Sequence, residues 1–338
     1  MKKLLIPHQE PFNLNEKVME NVTGKIALIT GASSGIGFEL TRCFARDNYQ
    51  VIMVAHFRGK LQEAAQQIQQ EFPDVQVNTI AIDLSKDDSP EKLFKEVQQH
   101  GWQLDVLVNN AGFGEYGPFA ESDWQKESAM IHLNVISLVH MTKLFLPSML
   151  SRNSGKILQL GSVASFMPAP LQSVYGATKA FILSFSEALQ EELKESKVTV
   201  TVLCPPATDT NFFKVAGAEN SKMVQDGSMA SAEEVAAGGY EALMKGDARA
   251  VPTFKAKMEV AQANTLPDAM VASMMHKQSE EKNPKKAAGK KESTLQAAET
   301  PVITSETTPK KKAKTKSIKA ESTAEKVPAK KKSSKKKE

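Results

Sequence analysis

Tyr175 and Lys179 stand four residues apart, a spacing that brings two side chains onto one face of a helix. A phenol beside an ammonium can move a proton. A free tyrosine, with a pKa of about 10, is a poor base near neutrality. A neighbouring positive charge favours the phenolate and draws that pKa toward the working range. By itself, such a pair is ordinarily surface decoration. The second group with chemical capacity is the run Thr30-Gly-Ala-Ser-Ser-Gly-Ile-Gly37. Gly31, Gly35 and Gly37 let the backbone turn sharply and approach a ligand closely. A helix starting behind them offers free N–H groups and a positive dipole end to a pyrophosphate. Ser33, Ser34 and Ile36 complete the loop and are expected to share that contact. A glycine trio also reads as a tight strand-to-helix turn that binds nothing.

The elements that must position these groups follow from hydrophobic period and breakers. Lys25–Ile29, Gln50–Ala55, Val75–Ile82, Leu104–Val108, Lys156–Leu160 and Val198–Leu203 read as strands, the first two as buried ones. Phe38–Asp47, Lys60–Phe72, Glu91–His100, Ser128–Leu150 and Val174–Ser196 read as helices between them. Strands alternating with helices of this length predict an α/β fold, a parallel sheet covered on both faces. Right-handed crossovers make it a doubly wound, Rossmann-like domain that binds ligands at the carboxyl ends of its strands. The expected organisation is an arm over 1–23, a dinucleotide-binding catalytic domain over 24–276 and a disordered basic tail over 277–338. No internal repeat is present.

With those elements in place, the glycine loop resembles the Thr-Gly-x-x-x-Gly-x-Gly loop of the short-chain dehydrogenase/reductase family in its single-domain form. The resemblance runs from Lys25 to about Tyr240, with further motifs in the same order. Asp83, followed by Leu84, matches the acidic residue that contacts the adenine ring. Asn109-Asn-Ala-Gly112 matches the turn that supports the sheet and borders the cofactor through Asn110, Ala111 and Gly112. Asn134, Ser162, Tyr175 and Lys179 match the catalytic tetrad, with the Ser–Tyr separation of thirteen common in the family. The resemblance implies that Tyr175 gives a proton to a carbonyl oxygen while hydride reaches the carbon, and that Ser162 polarises the same oxygen. It further implies that Lys179 bonds the cofactor ribose and that Asn134 helps hold a proton-relaying water. Read alone, Asn134 is also a helix-bending polar residue and Ser162 a loop cap. After the sixth strand the family has Pro-Gly and then a Thr near the nicotinamide carboxamide. Here the run is Pro205-Pro206-Ala207-Thr208-Asp209-Thr210. Pro205, Thr208 and Thr210 are expected cofactor contacts, and Pro206 stiffens the turn.

Members that prefer NAD usually end the second strand with an acid that bonds the adenosine ribose. This chain has Ala55 there, followed by His56, Phe57 and Arg58. Without the carboxylate there is no repulsion against a 2′-phosphate, and Arg58 or His56 can pair with it. NADP is therefore expected, with NAD as the alternative. Arg58 also reads as a solvated loop charge. Substrate choice is expected from the loops Gly114–Phe119, Ser165–Gln172 and Asn211–Ser231. With Phe113, they supply Tyr116, Phe119, Phe166, Met167, Leu171, Phe212 and Phe213, an apolar set suited to a lipid-like or ring ketone such as a 3-oxoacyl thioester. The segment Pro252–His276 is read as helical, covering the active site, an oligomer interface or a lipid surface.

Composition bounds the remaining function classes. Apolar residues make up 41% of the chain, slightly below the usual globular range. From Lys277 to Glu338 there are 19 lysines, no arginine and 8 glutamates, a net of +11 within a whole-chain charge of +4. Residues 1–276 therefore carry −7, and the basic character belongs to the tail. Its lysine clusters can attract nucleic acid or an anionic membrane weakly, or serve only to solubilise. Two distant cysteines, Cys43 and Cys204, offer neither a disulfide framework nor a metal-ligand spacing. A reducing, cytoplasmic setting is expected, with no metal. The apolar stretch at the start stops at Pro7, too short for an export signal. Ile131–Leu150 carries His132, Asn134, His140 and Lys143, and reads as a buried or interface helix rather than a span. The expected function is hydride transfer between NADP(H) and a carbonyl/alcohol pair, in a homodimer or homotetramer. The alternative is a dinucleotide-sensing binding protein with a polyanion-binding tail.

Overall fold

A computed structural model of the chain describes residues 24–227 and 229–282. The expected arm, residues 1–23, and the tail from residue 283 onward lie outside the described residues. In chain order, β1 (Ile26–Thr30) leads into α1 (Gly35–Arg46), β2 (Gln50–Ala55) into α2 (Arg58–Glu71), and β3 (Val77–Ala81) into α3 (Ser89–Gln99). Then β4 (Val106–Asn109) precedes a long helix of α4 (Trp124–Ile131), a π turn (His132–Ser137) and α5 (Leu138–Ser151). Next come β5 (Gly155–Leu160), α6 (Ser173–Glu192), β6 (Val198–Leu203), β7 (Thr208–Asp209), α7 (Phe212–Ala216) and α8 (Lys222–Asp226). The described chain closes with β8 (Ala230–Ser231), α9 (Ala232–Lys245), β9 (Arg249–Ala250), α10 (Phe254–Ala263) and α11 (Asp268–Ser279).

Seven strands form one parallel sheet in the order β3-β2-β1-β4-β5-β6-β9. The doubly wound expectation is met. Strand residues alternate between two cores because successive side chains point to opposite faces. Ala27 and Ile29 of β1 pack with Leu40, Phe44, Leu61, Val235 and Leu243 from α1, α2 and α9. Ile26 and Leu28 pack on the other face with Leu93, Met141, Phe145 and Leu189 from α3, α5 and α6. The strand order reverses between β1 and β4, which opens a crevice at their carboxyl ends.

Several boundaries differ from the sequence reading. β9 was not foreseen: two residues long, it joins the sheet only by pairing with Val202 and Leu203, too short a run to show a period. The helix expected over Ser128–Leu150 starts at Trp124 and is interrupted by the π turn that carries Asn134. By length and composition this helix is apolar enough to cross a membrane, with mean hydropathy 1.4 over its most apolar window. Here it lies along the sheet with Met130, Asn134, Met141, Phe145 and Met149 buried. At the C-terminal end the folded chain passes the expected boundary at 276. α11 runs to Ser279, which is buried, and Lys282 donates its N–H to the Asn220 carbonyl.

Candidate active site

The glycine loop is held from below by β4. Asn110 donates from Nδ2 to the Thr30 carbonyl at 2.8 Å, and the N–H groups of Asn110 and Ala111 donate to Thr30 Oγ1 at 3.0 and 2.9 Å. Asn110 is thus spent on shaping the loop, with Gly112 continuing toward the catalytic residues. Gly35 sits at φ +56, and a Cβ on it would come within 2.9 Å of Thr210 Cγ2. Gly37 lies so close that a Cβ would stand 2.3 Å from the Gly31 carbonyl. The Ser34 side chain leaves the start of α1 uncapped, so the first-turn N–H groups there retain their capacity for an anion. Ser33 and Ile36 flank the same opening, and Ile36 lines the cavity that contains Tyr175.

Farther along the crevice, His56 stacks on Phe57 and its Nε2 lies 3.9 Å from Asp83 Oδ2. Burial pushes the Asp83 carboxyl up, but the Ser85 hydroxyl and N–H at 2.7 and 3.0 Å outweigh it, helped by His56 and Lys86. The net shift is below the ordinary range. Arg58 opens α2 exposed, with no ion pair among the described residues. Leu84 turns its side chain into the core beneath β1, leaving only its backbone for a ligand.

The four tetrad positions come from separate elements. The π turn lets Asn134 face inward: Nδ2 donates to the Phe113 carbonyl at 3.0 Å and to Thr178 Oγ1 at 3.2 Å, while Oδ1 accepts from Phe113 N–H at 3.2 Å. It therefore clamps the turn after β4 onto α6. Ser162 begins the short 3-10 turn after β5, and its Oγ accepts from Ala164 N–H at 3.1 Å. The capping role and the catalytic role coexist. Accepting through its lone pair leaves the Ser162 hydroxyl proton free to donate toward Tyr175 or a carbonyl oxygen. Lys179 is buried, and its Nζ donates to the Leu160 carbonyl at 2.7 Å while lying 5.7 Å from the Tyr175 ring centre.

The electrostatics depart from the sequence expectation. Burial pushes the Tyr175 hydroxyl up to about 12, and the Ser162 hydrogen bond only partly opposes it. Burial lowers Lys179 to about 8. The Lys179 amine is engaged by the Leu160 carbonyl and stands 5.7 Å from the ring centre, and it does not draw the phenol down. Tyr175 keeps its proton across the neutral range, which is the state an acid requires.

The loop after β6 is fixed by its own bonds. Thr208 Oγ1 donates to the Pro206 carbonyl at 2.8 Å, β7 pairs with β8, and Val163 N–H donates to the Pro205 carbonyl at 2.9 Å. Thr210 faces the glycine loop. A cavity of about 130 Å³ lies between these parts, bordered by Ser162, Gln172, Tyr175, Lys179 and Phe212. Of the expected substrate-loop side chains, Phe212 and Phe213 line it, and Phe212 packs 5.1 Å from the Tyr175 ring. Phe119 points to solvent and Phe166 packs under Arg249. Met275 and Ser279 also line the cavity, and they were missed. Their signal was the spacing Val271, Met275, Ser279, one face of a helix crossing the expected tail boundary.

Comparison with known proteins agrees with this arrangement. A family model described as short chain dehydrogenase matches residues 25–221. The very-long-chain 3-oxoacyl-CoA reductase of Rattus norvegicus is 34% identical over 199 residues, covering 57% of this chain and 62% of that protein. The match thus spans less than two thirds of that relative. An alcohol dehydrogenase from Thermococcus sibiricus, solved with 5-hydroxy-NADP, is 29% identical with a TM-score of 0.58, covering 65% of this chain and 90% of that one. A family member from Burkholderia phymatum, solved with NAD, shares the fold at TM-score 0.64 and 22% identity, over 72% of this chain and 94% of that one. The match over most of the described fold, with the motifs in the places that geometry requires, leads to one conclusion: the chain belongs to the short-chain dehydrogenase/reductase family and is an oxidoreductase.

Proposed function

We propose that this oxidoreductase reduces the keto group of a hydrophobic 3-oxoacyl thioester with NADPH. The observation that carries the reading is the convergence of Tyr175, Ser162 and Lys179 on one small cavity beside the glycine loop, with Ser162 Oγ accepting from the backbone and keeping its own proton to donate. A protein that only sensed a dinucleotide would have no use for a proton donor there. The relative named very-long-chain 3-oxoacyl-CoA reductase supports the thioester, and the apolar Phe212 and Phe213 support a hydrophobic substrate.

The residues present fit a dinucleotide: a Cβ at Gly35 would fill the space beside Thr210, and the α1 N-terminus carries no side-chain cap. Gly31, Ser33, Ser34, Gly35, Ile36 and Gly37 would hold the pyrophosphate, Asp83 and the Leu84 backbone the adenine. Ala111 and Gly112 would border the ribose that Lys179 bonds, and Pro205, Thr208 and Thr210 the carboxamide. Arg58 and His56 would pair with a 2′-phosphate, which the absence of a carboxylate at Ala55 supports. The cofactor supplies the hydride. Ser162 donates to the carbonyl oxygen and orients it, and Tyr175 transfers its proton to that oxygen as negative charge develops. Lys179 holds its remaining N–H groups toward the ribose and Asn134 keeps the neighbouring turn in place. The exposed Trp124, Ile136 and Phe181 support assembly of copies of this chain, and the two buried free thiols support a reducing, cytoplasmic setting.

The test follows absorbance at the reduced nicotinamide band over a panel of 3-oxoacyl thioesters, cyclic ketones and small sugars, with each coenzyme. Turnover of the thioesters with NADPH is expected, and turnover of sugars alone contradicts the reading. Ala55→Asp should lower the NADPH-to-NADH preference about tenfold or more, through repulsion of the 2′-phosphate. An unchanged ratio contradicts the assignment of that end of the crevice.

A further inference from the structure

The cavity around Tyr175 is small, and a much larger chamber adjoins it. The chamber measures about 680 Å³, the size of a site for a drug-sized ligand. The two share Val163, Pro206, Ala207, Met223 and Met275 as a common wall. Beyond that wall the chamber is a half-open cleft bordered by α8, α10 and α11, with Met229, Ala263, Leu266, Val271 and Met274 among its apolar residues. Five methionines in all face it, Met167 included, and such side chains adapt to chains of varied shape. Nearly all of this enclosure lies after residue 221, where the family match ends.

We infer that this chamber binds the unbranched acyl chain of the substrate, which enters past Met223 and Met275 while the 3-oxo group stays at Ser162 and Tyr175. The inference rests on the 3-oxoacyl reductase reading above. The catalytic cavity, at about 130 Å³, accommodates the reacting carbonyl and its neighbours only, so the remainder of a long substrate must continue elsewhere. Charge argues for the apolar end. Lys222, Lys255 and Lys277 are matched by Asp226, Glu234 and Glu259 around the chamber, so no net field draws in an anionic headgroup. The enclosure is also fastened. The Tyr116 hydroxyl donates to the Ser279 carbonyl, Lys222 pairs with Glu280 at 2.7 Å, and Lys282 pairs with Asp226. Each contact is weak alone, but together they fix the end of α11 against α8 and keep the chamber formed.

The experiment measures kcat/KM of the full chain on N-acetylcysteamine thioesters of 3-oxo acids, from short to long unbranched chains. The thioester head is kept constant and uncharged. Wild type should gain about two- to fourfold per methylene until the chamber is filled. Ala263→Trp, which projects an indole into the chamber far from Tyr175, should lower the long-to-short ratio by about tenfold or more. A ratio unchanged by Ala263→Trp, or a wild-type series flat with length, overturns the chamber assignment while leaving the reductase reading standing. No turnover of any member overturns both. Should Ala263→Trp fail to fold, the wild-type series and Met274→Ala, expected to move the optimum toward longer chains, still decide it.

Discussion

The catalytic floor and the chamber wall are built on different principles. On the floor, three of the four tetrad side chains are fixed by a directional bond to the backbone: Lys179 to Leu160, Ser162 to Ala164, Asn134 to Phe113. The chamber wall is made of short helices that bring five methionines together with a balanced set of charged side chains, held at the end by a few surface ion pairs. Chemistry needs atoms placed to a fraction of an ångström, whereas accommodating a chain needs volume and tolerance. The same molecule meets both needs by keeping them on separate stretches of sequence.

Breaking the floor should cost the most. Lys179→Met is expected to lower kcat/KM about 10²–10³-fold, within the range typical of proton-transfer machinery. It should also change how stability follows pH. The amine titrates near 8 in the folded chain against an ordinary 10.5. Between those values the unfolded chain binds a proton that the folded one does not, so stability falls as pH drops through that window and levels off below about 8. The wild type minus variant difference in unfolding free energy should decrease across it by up to about 3 kcal/mol. Chemical denaturation at pH 8 and 10.5 measures this, and a difference that is constant with pH contradicts the burial of an uncharged amine.

How far each region was legible follows from the same contrast. The glycine loop, the Asn-Asn-Ala-Gly turn and the Ser, Tyr and Lys positions could be read because they require particular residue types at fixed spacings. The six long strands could be read because β1, β2 and β4 are buried throughout and the others carry short apolar or β-branched runs bounded by breakers. The inversion of the Tyr175 titration could not, since it depends on how deeply the pair is buried and on the Leu160 carbonyl that engages the lysine. The chamber was hidden for a related reason. α11 begins Asp-Ala-Met-Val-Ala-Ser-Met-Met-His-Lys, with little contrast between its faces, and the lysines that follow gave the segment the composition of a tail. Burial of Ser279 and the Lys222–Glu280 pair are tertiary facts with no local signature.

Breaking the wall's fastening should have a smaller effect. Ending the chain after Lys282 should leave kcat and KM for a long-chain thioester within about twofold of the full chain, since it keeps every described residue that lines the two cavities. Ending it after His276 removes Ser279 and Glu280, and should raise that KM about three- to tenfold with little change in kcat, consistent with loss of a binding wall alone. Equal behaviour of the two truncations contradicts a role for 277–282 in closing the chamber.

The central claim is that Tyr175 delivers the proton, and a single comparison tests it most directly. Turnover of a 3-oxoacyl thioester by wild type and by Tyr175→Phe is measured alongside coenzyme affinity by fluorescence. The account predicts a loss in kcat of about 10²–10⁴-fold, with coenzyme affinity and thermal unfolding little changed. Full turnover by Tyr175→Phe would contradict it.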